Sequence, residues 1–320
     1  MSRQPRFAPI GGQAVIEGVM MRSPTMVATA VRRPNGEIVV KKNPYISFSK
    51  RIRLLGLPIL RGALALIESM QLGITSLTYS AEQAAEEEEE KSDAVDGVDG
   101  SGEAKPAKKE RPEFLNRLIM AGTIVLSLGL GFVLFFWLPL VATERLVGDS
   151  GSVIFNLVDG VLRLAAFLAY LYVISLWSEM RRVFQYHGAE HKSIAAFEAG
   201  EELVPEVVAR HSRFHPRCGT SFLLIVMLAS ILIFMLLGRP DTIVERLQRF
   251  LMIPVIGGIS YELIKLSGKW SHIPLVKLLI LPGLWLQRIT TREPTPDQLE
   301  VAIRSIKEVT QESDGKLVPI

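Results

Sequence analysis

His187, His191, His215 and Cys218 are the side chains of this 320-residue chain best suited to chemistry. His187 and His191 stand four residues apart in His187-Gly188-Ala189-Glu190-His191. On a helix that spacing puts both imidazoles on one face, about a turn apart. Two imidazoles so placed can hold one divalent ion, with Glu190 as a carboxylate beside them. The stretch also fits H-x-x-E-H, the inverted zinc-protease motif, where Glu190 would be the base on a metal-bound water. Glu262, well downstream, is then a candidate further ligand, and its competing partner is Lys265 one turn on. A second cluster follows in His211-Ser212-Arg213-Phe214-His215-Pro216-Arg217-Cys218. Four of the five histidines and the single cysteine fall between positions 187 and 218. Imidazole and thiolate are ligands for zinc, iron or cobalt. The residues therefore predict a metal site, zinc first, drawn from His187, His191, His215 and Cys218. Four protein ligands make such a site closed and structural; three ligands and a water make it catalytic. The competing reading gives the histidines hydrogen bonds at a membrane surface and makes Cys218 a small buried residue. A third makes Cys218 a nucleophile with His215 as its base.

Gly11–Pro24 reads GGQAVIEGVMMRSP, with Glu17 and Arg22 among glycines. It lacks the Gly-Lys-Ser/Thr ending of a phosphate-binding loop. Its glycines permit tight turns and close backbone approach. One expectation is that this stretch folds over the histidine segment and offers Glu17 as a carboxylate ligand or base. The alternative is a β segment with a salt bridge.

These residues need elements to position them, and composition says which. The chain is 48% hydrophobic with a mean hydropathy of +0.28, too apolar for an ordinary soluble domain. Leu118–Val141 runs 24 residues without a charge and Gly219–Gly238 runs 20. Both predict transmembrane helices. Ser152–Trp177 predicts another, with Asp159 and Arg163 pairing at i and i+4. Phe250–Leu266 predicts a fourth, interrupted by Pro254, Gly257 and Gly258. Ile273–Leu286 is too short to span and reads as re-entrant or interfacial.

The Lys/Arg balance sets the orientation. The segment before the first span is basic, and the 142–151 loop carries only Arg145. The 178–218 loop carries Arg181, Arg182, Lys192, Arg210, Arg213 and Arg217. The N-terminus and the histidine loop are therefore expected in the cytoplasm. The three arginines of 239–249 run against the rule. A polar N-terminus without an apolar core predicts no signal peptide. One cysteine excludes an intrachain disulfide. Residues 82–103 hold ten acids and one lysine, and outside them 35 basic residues face 23 acidic ones, a net +12. That face suits membrane lipids with anionic headgroups rather than nucleic acid.

The expected organisation is mainly α. Residues 1–50 are a small cytoplasmic β unit, with Val27–Val31 and Glu37–Lys41 as strands about Pro34-Asn35-Gly36. Residues 51–80 are an amphipathic helix, on the membrane surface or packed on the bundle. Residues 81–113 are a disordered acidic linker. Residues 114–290 are a polytopic membrane domain of about four spans, and 291–320 a C-terminal amphipathic helix. That helix starts at Thr295 with Pro296 and a capping-box Gln298, and its apolar face is Leu299, Ile303 and Ile306.

GGQAVIEGVMMRSP, FQYHGAEHKSI, HPRCGTSFL and ISYELIKLSGK together resemble the YqhQ-like bacterial membrane proteins, a domain-of-unknown-function family. The resemblance covers most of residues 10–310 outside the acidic linker. It implies a predicted metal-dependent enzyme of the bacterial inner membrane. The residues carried over are Glu17, His187, Glu190, His191, His215 and Cys218. The function expected is hydrolysis or group transfer on a membrane-associated substrate at the cytoplasmic surface, with Glu190 and Glu17 as catalytic carboxylates. A non-enzymatic scaffold or biogenesis factor, with a homo-oligomer or membrane-protein partner, is the rival. A small transporter built on Asp159, Arg163, Glu262 and Lys265 ranks third.

Overall fold

A computed structural model describes residues 10–95, 113–269, 273–313 and 316–319. The chain opens with a four-stranded antiparallel meander, β1 (Gly11–Val15), β2 (Gly18–Arg22), β3 (Met26–Arg32) and β4 (Ile38–Pro44), paired in that order. The Asn35-Gly36 turn joins β3 to β4 as the sequence predicts, with Gly36 at φ 90°. The β1–β2 hairpin turns on Ile16-Glu17, and Glu17 takes a φ of 50°, an uncommon place for a residue with a side chain.

A short α1 (Phe48–Arg51) and a 3₁₀ turn (Arg53–Gly56) lead into α2 (Leu60–Val95). The expected helix over 51–80 thus starts later and runs further. It continues through the acidic run to Val95, which corrects the linker reading for those residues. Ala, Glu, Gln and Lys are strong helix formers, so a docked helix extends through them. Residues 96–112 of that linker lie outside the described residues. The face of α2 toward the sheet is polar: Glu68 accepts from the Tyr45 hydroxyl at 2.6 Å, and Ser76 meets Thr29 at 3.1 Å. Its outward face carries Ile67, Met70, Ile74 and Leu77, all exposed.

Among the described residues, four helical stretches are long and apolar enough to cross a membrane: Gly122–Val147, Ser152–Ile174, Gly219–Leu237 and Ile243–Leu266. They are built from α3 (Glu113–Phe132), a π-helical turn (Val133–Trp137) and α4 (Leu138–Val147), then α5 (Ser152–Ile174), α8 (Gly219–Leu237) and α9 (Ile243–Lys269). Their outward side chains include Leu126, Leu128, Leu232 and Leu251, which a lipid solvent covers. Asp159 and Arg163 pair within α5 at 2.8 Å, as their spacing predicts. Small residues let the helices approach closely. A Cβ on Gly62 would lie 2.9 Å from Gly258, and one on Gly283 would lie 2.6 Å from Ser221.

Between the second and third spans stand α6 (Ser178–Ala199) and a short α7 (Pro205–Val208). After the fourth come α10 (Pro274–Thr290), α11 (Pro296–Glu308) and a small hairpin, β5 (Thr310–Ser313) and β6 (Lys316–Pro319). At 17 residues α10 is short of a span, and it lies against α8. α11 begins with the predicted capping box at Thr295 and Gln298. It buries Leu299, Ile303 and Ile306 against Val19, Met21, Ala28 and Ala30 of the sheet and Ala189, Ile194 and Phe197 of α6. One apolar core therefore holds the N-terminal sheet, the segment between spans two and three, and the C-terminal helix.

Candidate metal centre

α6 carries the first two candidate ligands one helical turn apart. The rings of His187 and His191 lie 4.4 Å from centroid to centroid. Each is aimed by a carbonyl outside its own helix. His187 Nδ1 is 2.8 Å from the Thr290 carbonyl oxygen at the end of α10, and His191 Nδ1 is 2.6 Å from that of Arg213. A carbonyl only accepts, so each Nδ1 donates, and each Nε2 is the ring nitrogen left to face a ligand. Cys218 caps the N-terminus of α8. Its Sγ is 3.3 Å from His187 Nε2 and 3.1 Å from the Thr220 hydroxyl.

His187, His191 and Cys218 each present one ligand atom, and these three atoms lie within 4.8 Å of one another. A tetrahedral zinc with about 2.3 Å to sulfur and about 2.0 Å to nitrogen sets those atoms about 3.5 Å apart. The donor set and the spacing fit such an ion. Among the described residues the group has three ligands, where a closed site needs four.

Glu190 lies on the same helix and is 5% exposed. Its carboxylate makes no hydrogen bond among the described residues. Burial pushes its pKa up, and the imidazoles of His191 and His187 oppose that. Gly12 of β1 packs against it, and a Cβ there would lie 3.0 Å from the Glu190 carboxyl carbon. The glycine stretch thus does fold over the histidine segment, but it brings Gly12 to the site.

Glu17 is elsewhere. It sits at the β1–β2 turn, where its carboxylate accepts from Arg182 Nε at 2.6 Å and from the Tyr186 hydroxyl at 3.2 Å. Its guanidinium partner consumes the charge that a ligand would need, so the structure favours the salt-bridged β segment over the ligand or base. Glu262 pairs with Arg61 Nε at 2.6 Å and does not belong to the cluster.

His215 stands beside the group of three, its ring 5.6 Å from that of His191. Nε2 is 3.6 Å from Glu198, and Nδ1 accepts from the Arg217 N–H at 3.3 Å. Glu198 also pairs with Arg217. Residues 209–218 contain no helix, so the spacing of His211 and His215 does not put them on one face. His211 pairs with Glu201 at 3.2 Å instead. Burial holds the His215 imidazole below its ordinary pKa.

Burial also opposes charge on Cys218 and on His187, yet the pair prevails over it. The imidazoles of His187 and His191 hold the Cys218 thiol well below its usual range. Chiefly the Cys218 sulfur, with help from Glu190, raises His187 to about 9. The metal-free pair is therefore thiolate and imidazolium, and a metal would displace the imidazolium proton.

Sequence reasoning missed the frame around these side chains. Gln287 of α10 is fully buried and brackets the His215 backbone: Oε1 accepts from its N–H at 2.8 Å and Nε2 donates to its carbonyl at 2.9 Å. Arg213 reaches Thr291 Oγ1 at 3.2 Å and Glu293 at 3.3 Å. The signal was present as Gln287, Thr290 and Thr291, polar at i, i+3 and i+4 on the end of an apolar run.

Residues 57–312 match the protein family described as a protein of unknown function, DUF1385. The uncharacterized protein YqhQ of Bacillus subtilis (strain 168) is 35% identical over 313 residues, which cover 93% of this chain and 91% of that relative. No solved structure matches the chain. The expected family is therefore the one found: this chain belongs to the DUF1385 family and is similar to YqhQ along nearly its whole length.

Proposed function

We propose that this protein is a metal-dependent enzyme of the bacterial inner membrane, hydrolysing or transferring a group on a membrane-associated substrate at the cytoplasmic surface. His187, His191 and Cys218 hold a divalent ion, zinc first. Bound there, the ion would supply Lewis acidity and would acidify water. Glu190 exchanges the proton beside the reacting centre, and burial, by raising its pKa, makes it a stronger base than an ordinary carboxylate. Arg213 and Thr290 hold the two imidazoles in one tautomer, and Gln287 fixes the loop that carries Cys218. The basic 178–218 segment, in the same core as both termini, favours a cytoplasmic site by the positive-inside rule.

The observation that carries this reading is the pair of Nδ1–carbonyl bonds, which free both Nε2 atoms toward the Cys218 sulfur. Elemental analysis of the full chain in detergent, beside a His187→Ala/His191→Ala double variant, tests it. Near-stoichiometric metal lost in the variant supports the site. Absence of metal from both, with the variant folded, moves the motifs to a structural role in a membrane scaffold.

The Cys218–His187 contact favours a second reading. A thiolate at a helix N-terminus, paired with an imidazole that a carbonyl orients, has the layout of a cysteine nucleophile and its base. Rapid stoichiometric alkylation of Cys218 in metal-free protein, with activity untouched by chelator, would favour it.

A further inference from the structure

Phe214, Leu281, Pro282, Leu284, Trp285 and Arg288 line an open groove of about 510 Å³ on the outside of α10. That is the size of a ligand site, and its walls are apolar except for Arg288. α10 is too short to span, yet Leu278, Leu281 and Trp285 are exposed along it. Its opposite side packs on the span α8, with Gly283 against Ser221. The exposed side therefore continues the lipid-facing surface of the bundle. Arg288 follows Trp285 by one turn, is exposed, and makes no ion pair among the described residues. A tryptophan with a cation one turn on marks the headgroup level of a bilayer.

Residues that line the groove are chain neighbours of those that orient the metal centre. Phe214 lies between Arg213, whose carbonyl holds His191, and His215. Thr290, whose carbonyl holds His187, is two residues beyond Arg288. We infer that this groove takes the acyl chain of an anionic glycerophospholipid, with Arg288 on its phosphate. A lipid seated there has its headgroup beside the residues that orient both imidazoles. The inference rests on the metal-enzyme reading and names its substrate class.

The test uses the full chain in phosphatidylcholine vesicles that contain a small fraction of bromine-labelled phosphatidylglycerol. The difference in fluorescence between wild type and Trp285→Phe isolates Trp285. One phosphate–guanidinium contact predicts roughly fivefold stronger quenching by the labelled anionic lipid than by an equal fraction of labelled phosphatidylcholine. Arg288→Gln loses that preference and Arg288→Lys keeps most of it, with both variants eluting as folded protein. Equal quenching by the two lipids in wild type overturns the inference, as does an unchanged preference in Arg288→Gln. Elemental analysis of the same wild-type protein separates the two ideas. Preference retained in a chain whose wild type binds no metal leaves the groove and sinks the enzyme. Metal bound without preference leaves the enzyme and sinks the groove.

Discussion

Gly188 and Arg292 touch so closely that a Cβ on Gly188 would overlap the Arg292 carbonyl oxygen. The strap after α10 crosses α6 at this point, and Arg292 N–H donates to the Phe184 carbonyl at 2.8 Å. The glycine between the two α6 histidines is thus what lets Thr290 reach His187. Gly188→Ala must lift the strap and loosen that bond. Loss of an outer-shell partner of this kind lowers metal affinity by roughly 10–100-fold. Competitive titration with a chromophoric chelator measures it, and unchanged affinity would separate the strap from the site.

Single-histidine variants should not behave alike. His187→Ala and His191→Ala each remove a ligand atom, so each loses most of the bound metal. His215→Ala keeps near-stoichiometric metal, because its nitrogens face Glu198 and the Arg217 N–H. Glu17→Ala also keeps it, since that carboxylate is committed to Arg182. Metal content per chain decides all four. Loss in His215→Ala as complete as in His191→Ala would place His215 among the ligands.

The metal-free protein has a pH window set by Cys218 and His187. An acid whose folded pKa is lowered stabilises fully above its unfolded pKa, about 8.5 for a thiol, and loses that as pH falls through the folded value. A base whose folded pKa is raised stabilises fully below its unfolded pKa, about 6.5 for imidazole, and loses that as pH rises through the folded value. For His187 that value is about 9. Thermal stability of the chelated protein should fall as pH rises toward 9, and His187→Ala should lack that alkaline limb. The ultraviolet absorbance of the thiolate should persist at neutral pH in wild type and vanish there in His187→Ala.

The spans were legible because lipid imposes a crude rule: about 20 apolar residues without charge. His187, His191 and Cys218 were legible by type, since imidazole and thiolate have few other uses in such density. The frame was not, because Thr290 and Arg213 act through backbone carbonyls, which every residue has. His215 was legible by type as well, but its place beside Glu198 was not, because residues 209–218 form no helix whose period could be read. The salt bridge of Glu17 was legible as an alternative, but its partner Arg182 was not, because it is remote in sequence. The acidic run misled because composition describes a segment alone, whereas α2 enters it already docked on α9 and the sheet.

Arg61 and Glu262 join α2 to the fourth span, and they yield the clearest separation of fold from site. The contact is bidentate, with Arg61 Nε 2.6 Å from Glu262 Oε1. Gly62 and Gly258 meet one turn away, so the ion pair fixes the register of a close helix crossing. Glu262→Gln keeps the shape and removes the charge, leaving the guanidinium without its carboxylate. The expected cost is about 1–3 kcal/mol, read as an earlier thermal transition in detergent. Metal content should stay at the wild-type level, because the metal group contains His187, His191 and Cys218 without this carboxylate. An inverted-zincin architecture demands the reverse, with metal lost and stability spared. Measuring both quantities on one purified variant tells the two apart, since each predicts a change where the other predicts none.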